Sequence, residues 1–198
     1  ANRNSAGFGF RQSGTLGNTP ANQGLSQYWI DSAATVDLFN GMAMKSTGGY
    51  MITGESATTV TTIGVLYGIY YNAASTNKPT WAHWYDATIT PANSEDTQAF
   101  VNDYPFQKYT IASDTAVAAD VPAAHVKFME TFSVNANTGG STSTGRSTTS
   151  LEIGQTHATT HSWRLLRSAE ETENSDLTAA YCSLEVVSNL SEFVGSGT

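Results

Sequence analysis

Ile63-Gly64-Val65-Leu66-Tyr67-Gly68-Ile69-Tyr70-Tyr71 is the stretch that decides the fold of this chain. Alternate side chains of an extended strand point to opposite faces, which places the larger apolar residues together: Ile63, Val65, Tyr67, Ile69 and Tyr71. The other face is interrupted at Gly64 and Gly68. Glycine inside a strand marks a bulge, a bend or a close backbone approach, and such kinks let a sheet curl. The stretch predicts the central curved strand of a small all-β domain; a plain sandwich strand with incidental glycines is the alternative.

Further strand patterns recur along residues 28–190, with turn signals between them. No repeat of roughly 20–50 residues is visible, which disfavours solenoids and propellers. Many short strands in one chain of this length are typical of a single β-barrel or β-sandwich. The predicted strands are 28–31, 36–39, 42–45, 50–53, 63–71, 80–89, 97–102, 106–111, 126–134, 151–153, 161–167 and 180–187.

Two hairpins are predicted from their turn residues. Asn40-Gly41 favours a type I′ turn between the strands on either side of it. Asp103-Tyr104-Pro105 separates two further strand patterns and is predicted to join them as a second hairpin.

The helical signals are weak and local. A short helix is predicted over residues 114–120, with Ser113 or Asp114 as its cap and Pro122 after its end. Residues 123–132 stay open between a strand and a helix, because Ala-Ala and Lys-Phe-Met-Glu are good helix formers.

The composition favours strands and argues against nucleic-acid and membrane binding. Charged residues make up 13% of the 198 residues, about half the usual share, and the net charge is −8. An acidic chain without a basic patch is a poor candidate for binding nucleic acid. No apolar run approaches the roughly 18–20 residues of a membrane span, and no hydrophobic signal segment opens the chain. These features predict a soluble protein made in the cytoplasm.

The few charges are unevenly distributed. Residues 1–30 contain Arg3 and Arg11 and no acid. The residues beyond Arg167 contain no lysine or arginine and six acids: Glu170, Glu171, Glu173, Asp176, Glu185 and Glu192. This asymmetry fits a cationic segment lying on an acidic neighbour, such as another copy of the chain; a sparsely charged flexible tail is the alternative.

Residues 1–27 are predicted to form an extended N-terminal arm before a β-domain of residues 28–190. Five glycines, one proline and no periodicity favour an irregular segment. Phe8 and Phe10 fall on the same side of it, and an arm with aromatic anchors becomes ordered on its own domain or on a partner. Removal of residues 1–20 is therefore expected to leave the domain folded, and residues 191–198 are expected to fray.

Aromatic residues are concentrated in residues 80–89. As a strand, this segment places Trp81, His83 and Tyr85 on one face and Trp84 on the other. Aromatic side chains on both faces predict burial on both sides, under the arm or at a subunit contact. His83 is predicted to be a packed, hydrogen-bonded histidine and not a metal ligand.

The sequence contains no recognisable catalytic arrangement. A P-loop, a dinucleotide-binding glycine motif and a nucleophile elbow are missing from the sequence. The acidic run 170–176 lacks the alternating pattern of a calcium loop, which favours a solvated turn. These observations predict a protein that is not an enzyme and uses no cofactor.

The histidines and the cysteine are not predicted to bind a metal ion. His157 and His161 are the best metal candidate, but on a strand their rings lie about 13 Å apart. Only Glu152 is near enough in sequence to be a third ligand, so two exposed loop histidines are predicted. The single cysteine, Cys182, excludes an internal disulfide and shares a face with Leu184, which predicts a buried, inert thiol.

Several segments of the chain resemble small structural proteins of tailed bacteriophages. Many of these proteins come from marine phages, and several are assigned as head decoration (cement) proteins. The segments that carry the resemblance are Ala1-Asn2-Arg3-Asn4-Ser5-Ala6-Gly7-Phe8-Gly9-Phe10-Arg11, the Gly/Ser/Thr loop leading into Thr144-Gly145-Arg146-Ser147, Leu151-Glu152-Ile153, Ser162-Trp163-Arg164-Leu165-Leu166, Glu173-Asn174 and Glu185-Val186-Val187-Ser188-Asn189. The resemblance covers most of the chain, and its motifs are turn-like and carry no chemistry of their own.

The resemblance implies a virion subunit, made in the host cytoplasm, that binds the outer surface of an assembled head and stabilises it across subunit joints. Its expected partner is the major capsid protein, with a homo-oligomer or self-contacts on the shell. Aromatic and cationic residues suit tight binding across such joints, and the candidate anchors are Arg3, Phe8, Phe10, Arg11, Trp81, Trp84 and Arg146. Two alternatives remain open for Arg146. Its side chain forms a bidentate pair with a neighbour's carboxylate, or it is an exposed arginine in a turn. The alternative function is a tail or baseplate component, or a receptor-binding module that binds glycans around Trp81 and Trp84.

Overall fold

The strands account for most of the regular structure of this protein. The computed structural model describes residues 1–17, 24–54, 61–135 and 139–194. The described strands are β1 (Arg11–Thr15), β2 (Ser26–Ile30), β3 (Ala43–Thr47), β4 (Tyr50–Thr53), β5 (Gly64–Ala73), β6 (Lys78–Ala82), β7 (Thr97–Asn102), β8 (Gln107–Ala112), β9 (Thr131–Phe132), β10 (Val134–Asn135), β11 (Gly140–Ser141), β12 (Arg146–Ser147), β13 (Ser150–Leu151), β14 (Trp163–Ser168) and β15 (Ser183–Ser188). One α-helix, α1 (Val121–Val126), and a 3₁₀ turn at Ala92–Ser94 complete the elements. The all-β prediction is confirmed, with 42% of residues in strands and 5% in helices.

Five strands close into a small barrel. The six-stranded sheet runs β3-β4-β2-β7-β5-β6, and β3 also pairs with β5, which completes a ring of β3, β4, β2, β7 and β5. The pairings in the ring are antiparallel except for β2 with β4. A second, five-stranded sheet runs β1-β8-β15-β14-β9. The predicted curled β-domain is therefore a closed barrel with a further sheet.

Strand β5 closes the barrel because it bends in the middle. Its first residues pair with β3, and its last residues pair with β6. A Cβ on Gly64 would lie 1.9 Å from the Asn102 carbonyl oxygen, and one on Gly68 would lie 2.7 Å from Trp81 Cζ2. The bulge and close approaches predicted for these glycines are confirmed. The register shift between Leu66 and Gly68 turns Tyr67 outward, 46% exposed, which separates it from the apolar face on which alternation placed it.

Two hydrophobic clusters lie on the inner sides of the strands. The barrel cluster is Ile30, Leu38, Phe39, Met42, Met44, Met51, Ile63, Leu66, Ile69, Tyr85, Ala99 and Val101. The second cluster packs against β8, β14 and β15 and includes Trp163, Leu165 and Cys182. The predicted faces of β14 and β15 are thus confirmed. Burial raises the pKa of the Cys182 thiol to about 11, so the thiol is protonated near neutral pH.

Both predicted hairpins are wrong, and the predicted strand over 36–39 is reduced to isolated bridges at Leu38 and Asn40. Phe39 O accepts the Met42 N–H, and only Gly41 of the turn pair has positive φ, +85°. The chain before this turn pairs with Tyr85 through Leu38, whereas β3 pairs with β4 and β5. Strands β7 and β8 belong to different sheets, so residues 103–106 connect the barrel to the second sheet.

The helix lies later than the sequence predicted. Asp120 caps α1 by accepting the Ala123 N–H at 2.8 Å, and Pro122 lies in the first turn. Proline is tolerated there because a first-turn N–H has no helical partner, so Pro122 belongs to the start of the helix and does not end one over 114–120. Residues 123–132 divide between this helix and β9. No helix of the described residues is long and apolar enough to cross a membrane.

The described N-terminal segment packs on its own domain and is not a free arm. Residues Arg11–Thr15 form the edge strand β1 on β8. Phe10 is 4% exposed, and its ring lies 4.1 Å from the Trp163 ring and 5.7 Å from the Tyr109 ring. This answers the open question of which surface orders the segment. Because residues 1–20 include the buried Phe10 and strand β1, we now expect their deletion to destabilise the domain, in place of the expectation that the domain stays folded. Residues 18–23 lie outside the described part.

The acidic neighbour predicted from the charge distribution is the same chain. Arg3 Nη1 lies 2.7 Å from Glu173 Oε2, and the Ala1 amine lies 3.0 Å from Asp176 Oδ2. The start of the tail is also attached, since Glu192 N donates to Thr62 O at 3.0 Å. This attachment corrects the expectation of fraying for residue 192; residues 195–198 lie outside the described part.

Replacement of Phe10 by alanine is expected to destabilise the domain by about 3–5 kcal/mol, because it leaves a cavity beside two core rings. The matched control is Phe106→Ala, which truncates a phenylalanine that is 47% exposed and is expected to cost much less. Urea unfolding of both variants measures the difference. Equal stability of the two variants would show that the segment is not anchored through Phe10.

The N-terminal attachment is expected to weaken in acid. Hydrogen bonds from Thr178, together with the Ala1 amine, lower the pKa of Asp176 to about 2. The unfolded value is about 3.9, so the carboxylate stabilises the fold fully above about pH 4 and loses this effect as the pH falls towards 2. Asp176→Asn should therefore destabilise at neutral pH, with a difference that shrinks in acid.

Urea unfolding from about pH 7 down to pH 2 tests this dependence. Glu170→Gln is the control, since the Glu170 carboxylate has no hydrogen bond or ion pair with the described residues. A wild-type minus Asp176→Asn difference that stays constant down to about pH 2 would contradict the prediction.

Candidate partner-binding surface

Three segments that are distant in the sequence meet beside the barrel. Phe10 N donates to Gly41 O at 2.9 Å, and Asn40 N donates to Gly145 O at 2.9 Å. Ser147 N in turn donates to Asn40 O at 2.9 Å. These hydrogen bonds join the N-terminal segment, the 40–41 turn and β12. They place Arg11, the residue after Phe10, close to Arg146.

The close packing of this junction depends on Gly9. Its φ is +73°, and a Cβ on it would lie 2.9 Å from Gly41 O and 2.9 Å from Ser147 Cβ. A side chain would therefore be strained by the backbone angle and would also push the neighbouring segments apart. The Gly-Phe-Gly-Phe run is thus the sequence signal for a segment that lies flat on other backbones.

A cavity of about 290 Å³ opens between Arg11 and Arg146, and we call it the arginine pocket. Gln12, Asn40 and Tyr67 also line it, and Phe10 is part of its wall. Tyr67 is the residue that the β5 bulge turns outward. The pocket therefore combines two cationic groups, two amides and a phenol within one concave site.

Neither guanidinium group is ion-paired with a carboxylate in the described part of the chain. Burial and the positive charge of Arg146 lower the pKa of Arg11, while Glu171 acts more weakly in the opposite direction. The Arg11 guanidinium lies over the Phe8 ring, 3.8 Å from its centroid, in a cation–π contact. Among the described residues, no carboxylate forms an ion pair with either group.

Each of the other three arginines has a hydrogen-bond or ion-pair partner for its guanidinium among the described residues. Arg3 pairs with Glu173, and Arg167 Nε donates to Glu185 Oε2 at 2.7 Å. The guanidinium of Arg164 donates to Met129 O and to Asn189 Oδ1, each at 2.7 Å. The arginine pocket is thus a cationic site open to an external carboxylate or similar anion.

The structure brings together four of the seven predicted anchors. Phe8, Phe10, Arg11 and Arg146 lie at the arginine pocket, but Phe10 is in the core and unavailable to a partner, which corrects its predicted role. Arg3 lies elsewhere, on Glu173.

Trp81 and Trp84 do not form one patch. Strand β6 ends at Ala82, and the chain then bends so that Tyr85 pairs with Leu38. Trp81 is 46% exposed, whereas Tyr85 is buried, so the predicted shared face is wrong. His83 is exposed and is not the packed histidine predicted. Trp84 stacks on Phe39, with ring centroids 5.1 Å apart and planes at 11°.

Trp81 instead belongs to a row of side chains across the outside of the barrel. Register partners on neighbouring strands share a face, and they connect Tyr50 to Trp29, Trp29 to Gln98, Gln98 to Tyr70, and Tyr70 to Trp81. We call this row the aromatic face. Sequence reasoning found Trp81 and missed the others, although the position of Trp29 next to the inward Ile30 signals its outward direction.

The two candidate metal-binding histidines converge on one threonine. His161 Nδ1 lies 3.0 Å from Thr131 O, and His157 Nδ1 lies 3.2 Å from Thr131 Oγ1. His161 is 2% exposed, so the prediction of two exposed histidines is wrong for it. Within the described ranges, no three His, Cys, Asp or Glu side chains are grouped so that they could hold a metal ion.

No protein-family model matches this chain, and no curated protein or solved structure matches it. The arginine pocket and the aromatic face are the surfaces of the described residues from which we infer its function. The first is cationic and concave. The second is aromatic, with Trp29 and Trp81 both close to half exposed.

Proposed function

We propose that this protein is a capsid decoration protein, which binds the outer surface of an assembled phage head and stabilises it across subunit joints. The observation that carries the proposal is the arginine pocket, in which Arg11 and Arg146 of a chain of net charge −8 line one cavity and form no ion pair with a carboxylate of the described residues. The resemblance of the N-terminal and C-terminal segments to phage head proteins supplies the biological setting.

The pocket is suited to a carboxylate on the surface of the major capsid protein. A guanidinium binds a carboxylate through two parallel hydrogen bonds, and a second guanidinium adds charge and orientation. The incoming carboxylate also removes the repulsion between Arg11 and Arg146. Because β1 and β12 hold both residues, little ordering is required on binding.

A decoration protein gains from repeated contacts on a symmetric shell. Each copy that meets neighbouring capsid subunits, or another copy of itself, raises the effective concentration of the next contact. The proposed role is structural, outside the shell, and needs neither a cofactor nor contact with nucleic acid or membrane.

The aromatic face favours a second candidate, a tail or baseplate component or a receptor-binding module that binds glycans. Exposed tryptophans are characteristic of binding sites, and Trp29 and Trp81 are 48% and 46% exposed. Quantitative mass spectrometry of virions separates the two candidates, since a decoration protein is present in far more copies than a tail protein.

Replacement of both Arg11 and Arg146 by alanine is expected to abolish co-sedimentation with empty heads. Loss of a desolvated charged contact costs about 2–5 kcal/mol, which weakens attachment by roughly thirtyfold or more. Arg3→Ala is the control and should attach normally, because Glu173 already pairs with Arg3. Attachment is also expected to weaken as salt is raised.

Lysine replacements at positions 11 and 146 distinguish charge from geometry. Lysine keeps the charge but loses the two-pronged hydrogen bond, so attachment should be intermediate. Urea-unfolding midpoints of all variants establish that each is folded. Full attachment of a folded double alanine variant would refute the arginine pocket as the capsid contact.

A further inference from the structure

A second cavity, of about 550 Å³, opens on the aromatic face of the barrel. It lies where β2, β4 and β5 meet the segment that leads into β7, and it shares no lining residue with the arginine pocket. Its volume is within the range of roughly 300–1,000 Å³ that small-molecule sites occupy. We call it the tyrosine pocket, because Tyr50, Tyr70 and Tyr71 line it together with Trp29.

The rings of this pocket are not stacked on other rings. Within the described part of the chain, Trp29, Tyr50, Tyr70 and Tyr71 form no ring–ring contact, and Tyr71 also packs against the barrel cluster. Trp29 on β2 and Tyr70 on β5 lie on either side of Gln98 on β7. Two strand spacings separate their backbones by about 10 Å. The pocket therefore offers two aromatic surfaces with an amide between them.

The polar groups of the pocket are held in place or left open to a ligand. Asp96 Oδ2 accepts from Tyr50 Oη at 3.0 Å, and Asp96 Oδ1 accepts from Ser32 N at 3.0 Å. The hydrogen bond to Asp96 also raises the pKa of Tyr50, so its hydroxyl stays protonated. The side-chain amides of Gln98 and Asn72 have no hydrogen bond with the described residues.

This combination matches the two sides of a sugar ring. The C–H face of a pyranose is apolar and packs on the electron-rich face of an aromatic ring. Its hydroxyl edge donates and accepts, which suits amides that do both and a carboxylate that accepts. Asp96 and Glu95 repel anionic ligands, as does the net charge of −8. The row of side chains continues to Trp81, so the surface is longer than one ring.

We propose that the tyrosine pocket binds a neutral oligosaccharide. Trp29 and Tyr70 stack on successive sugar rings, and Gln98 and Asp96 bind their hydroxyl groups. Trp81, which packs on Phe100 with ring centroids 4.7 Å apart, extends the surface for a longer chain. Gly68 allows this position, since the indole lies where a side chain on β5 would be.

Titration with neutral hexasaccharides tests the proposal, with tryptophan fluorescence and calorimetry as readouts. The panel is cellohexaose, maltohexaose, laminarihexaose and chitohexaose, with choline and a sialylated oligosaccharide as charged comparisons. At least one neutral hexasaccharide should bind saturably. Trp29→Ala should weaken that binding by about tenfold or more, and Gln98→Ala should weaken it measurably.

Matched controls separate this site from the rest of the molecule. Phe106→Ala removes an aromatic ring of similar exposure outside the pocket and should leave binding unchanged. The Arg11 and Arg146 double alanine variant should also bind normally, so failure of the capsid proposal and failure of this one are distinguishable. Both pocket variants change exposed or half-buried side chains, and urea unfolding confirms that they fold.

Three results would overturn the proposal. The first is no saturable binding of any neutral hexasaccharide up to about 10 mM. The second is equal affinity of wild type and Trp29→Ala for the hexasaccharide that binds. The third is a preference for choline or for the sialylated oligosaccharide over every neutral one.

Discussion

The burial of Phe10 between Trp163 and Tyr109 is the contact on which the rest of the structure depends. It anchors a glycine-rich segment that has no periodicity of its own and aligns Arg11–Thr15 as the edge strand of the second sheet. Since Arg11 follows Phe10 directly, the same contact determines where its guanidinium lies. A side chain in the core thus positions a charged group at the surface.

The bend of β5 likewise shapes both the barrel and its surface. Gly64 and Gly68 allow the strand to pair with β3 at one end and β6 at the other, which closes the barrel. The bulge between them directs Tyr67 into the arginine pocket. Further along, Tyr70 points to the aromatic face. Both proposed binding surfaces therefore depend on how one strand curves.

The two surfaces suit different classes of ligand. The arginine pocket is small and cationic, and it fits one acidic group of a protein neighbour. The tyrosine pocket is larger, lined by rings and flanked by acids, and it fits an uncharged chain of rings. A protein attached to the outside of a phage head through the first could present the second to its surroundings, so the two proposals are compatible.

The sequence by itself determined the all-β class, the curved strand β5, the inward faces of β14 and β15 and the burial of Cys182, because each follows from local alternation or from glycine placement. It also named Arg11, Arg146 and Trp81 as candidate partner-binding residues, and the structure shows all three exposed. Only the tertiary structure decided that β7 and β8 lie in separate sheets, that Arg11 meets Arg146, and that the acidic C-terminal segment receives the N-terminus. The register across β4, β2, β7, β5 and β6 likewise assembled the aromatic face. These features depend on which strands pair, and that choice is set by long-range packing, which alternation within one segment does not encode.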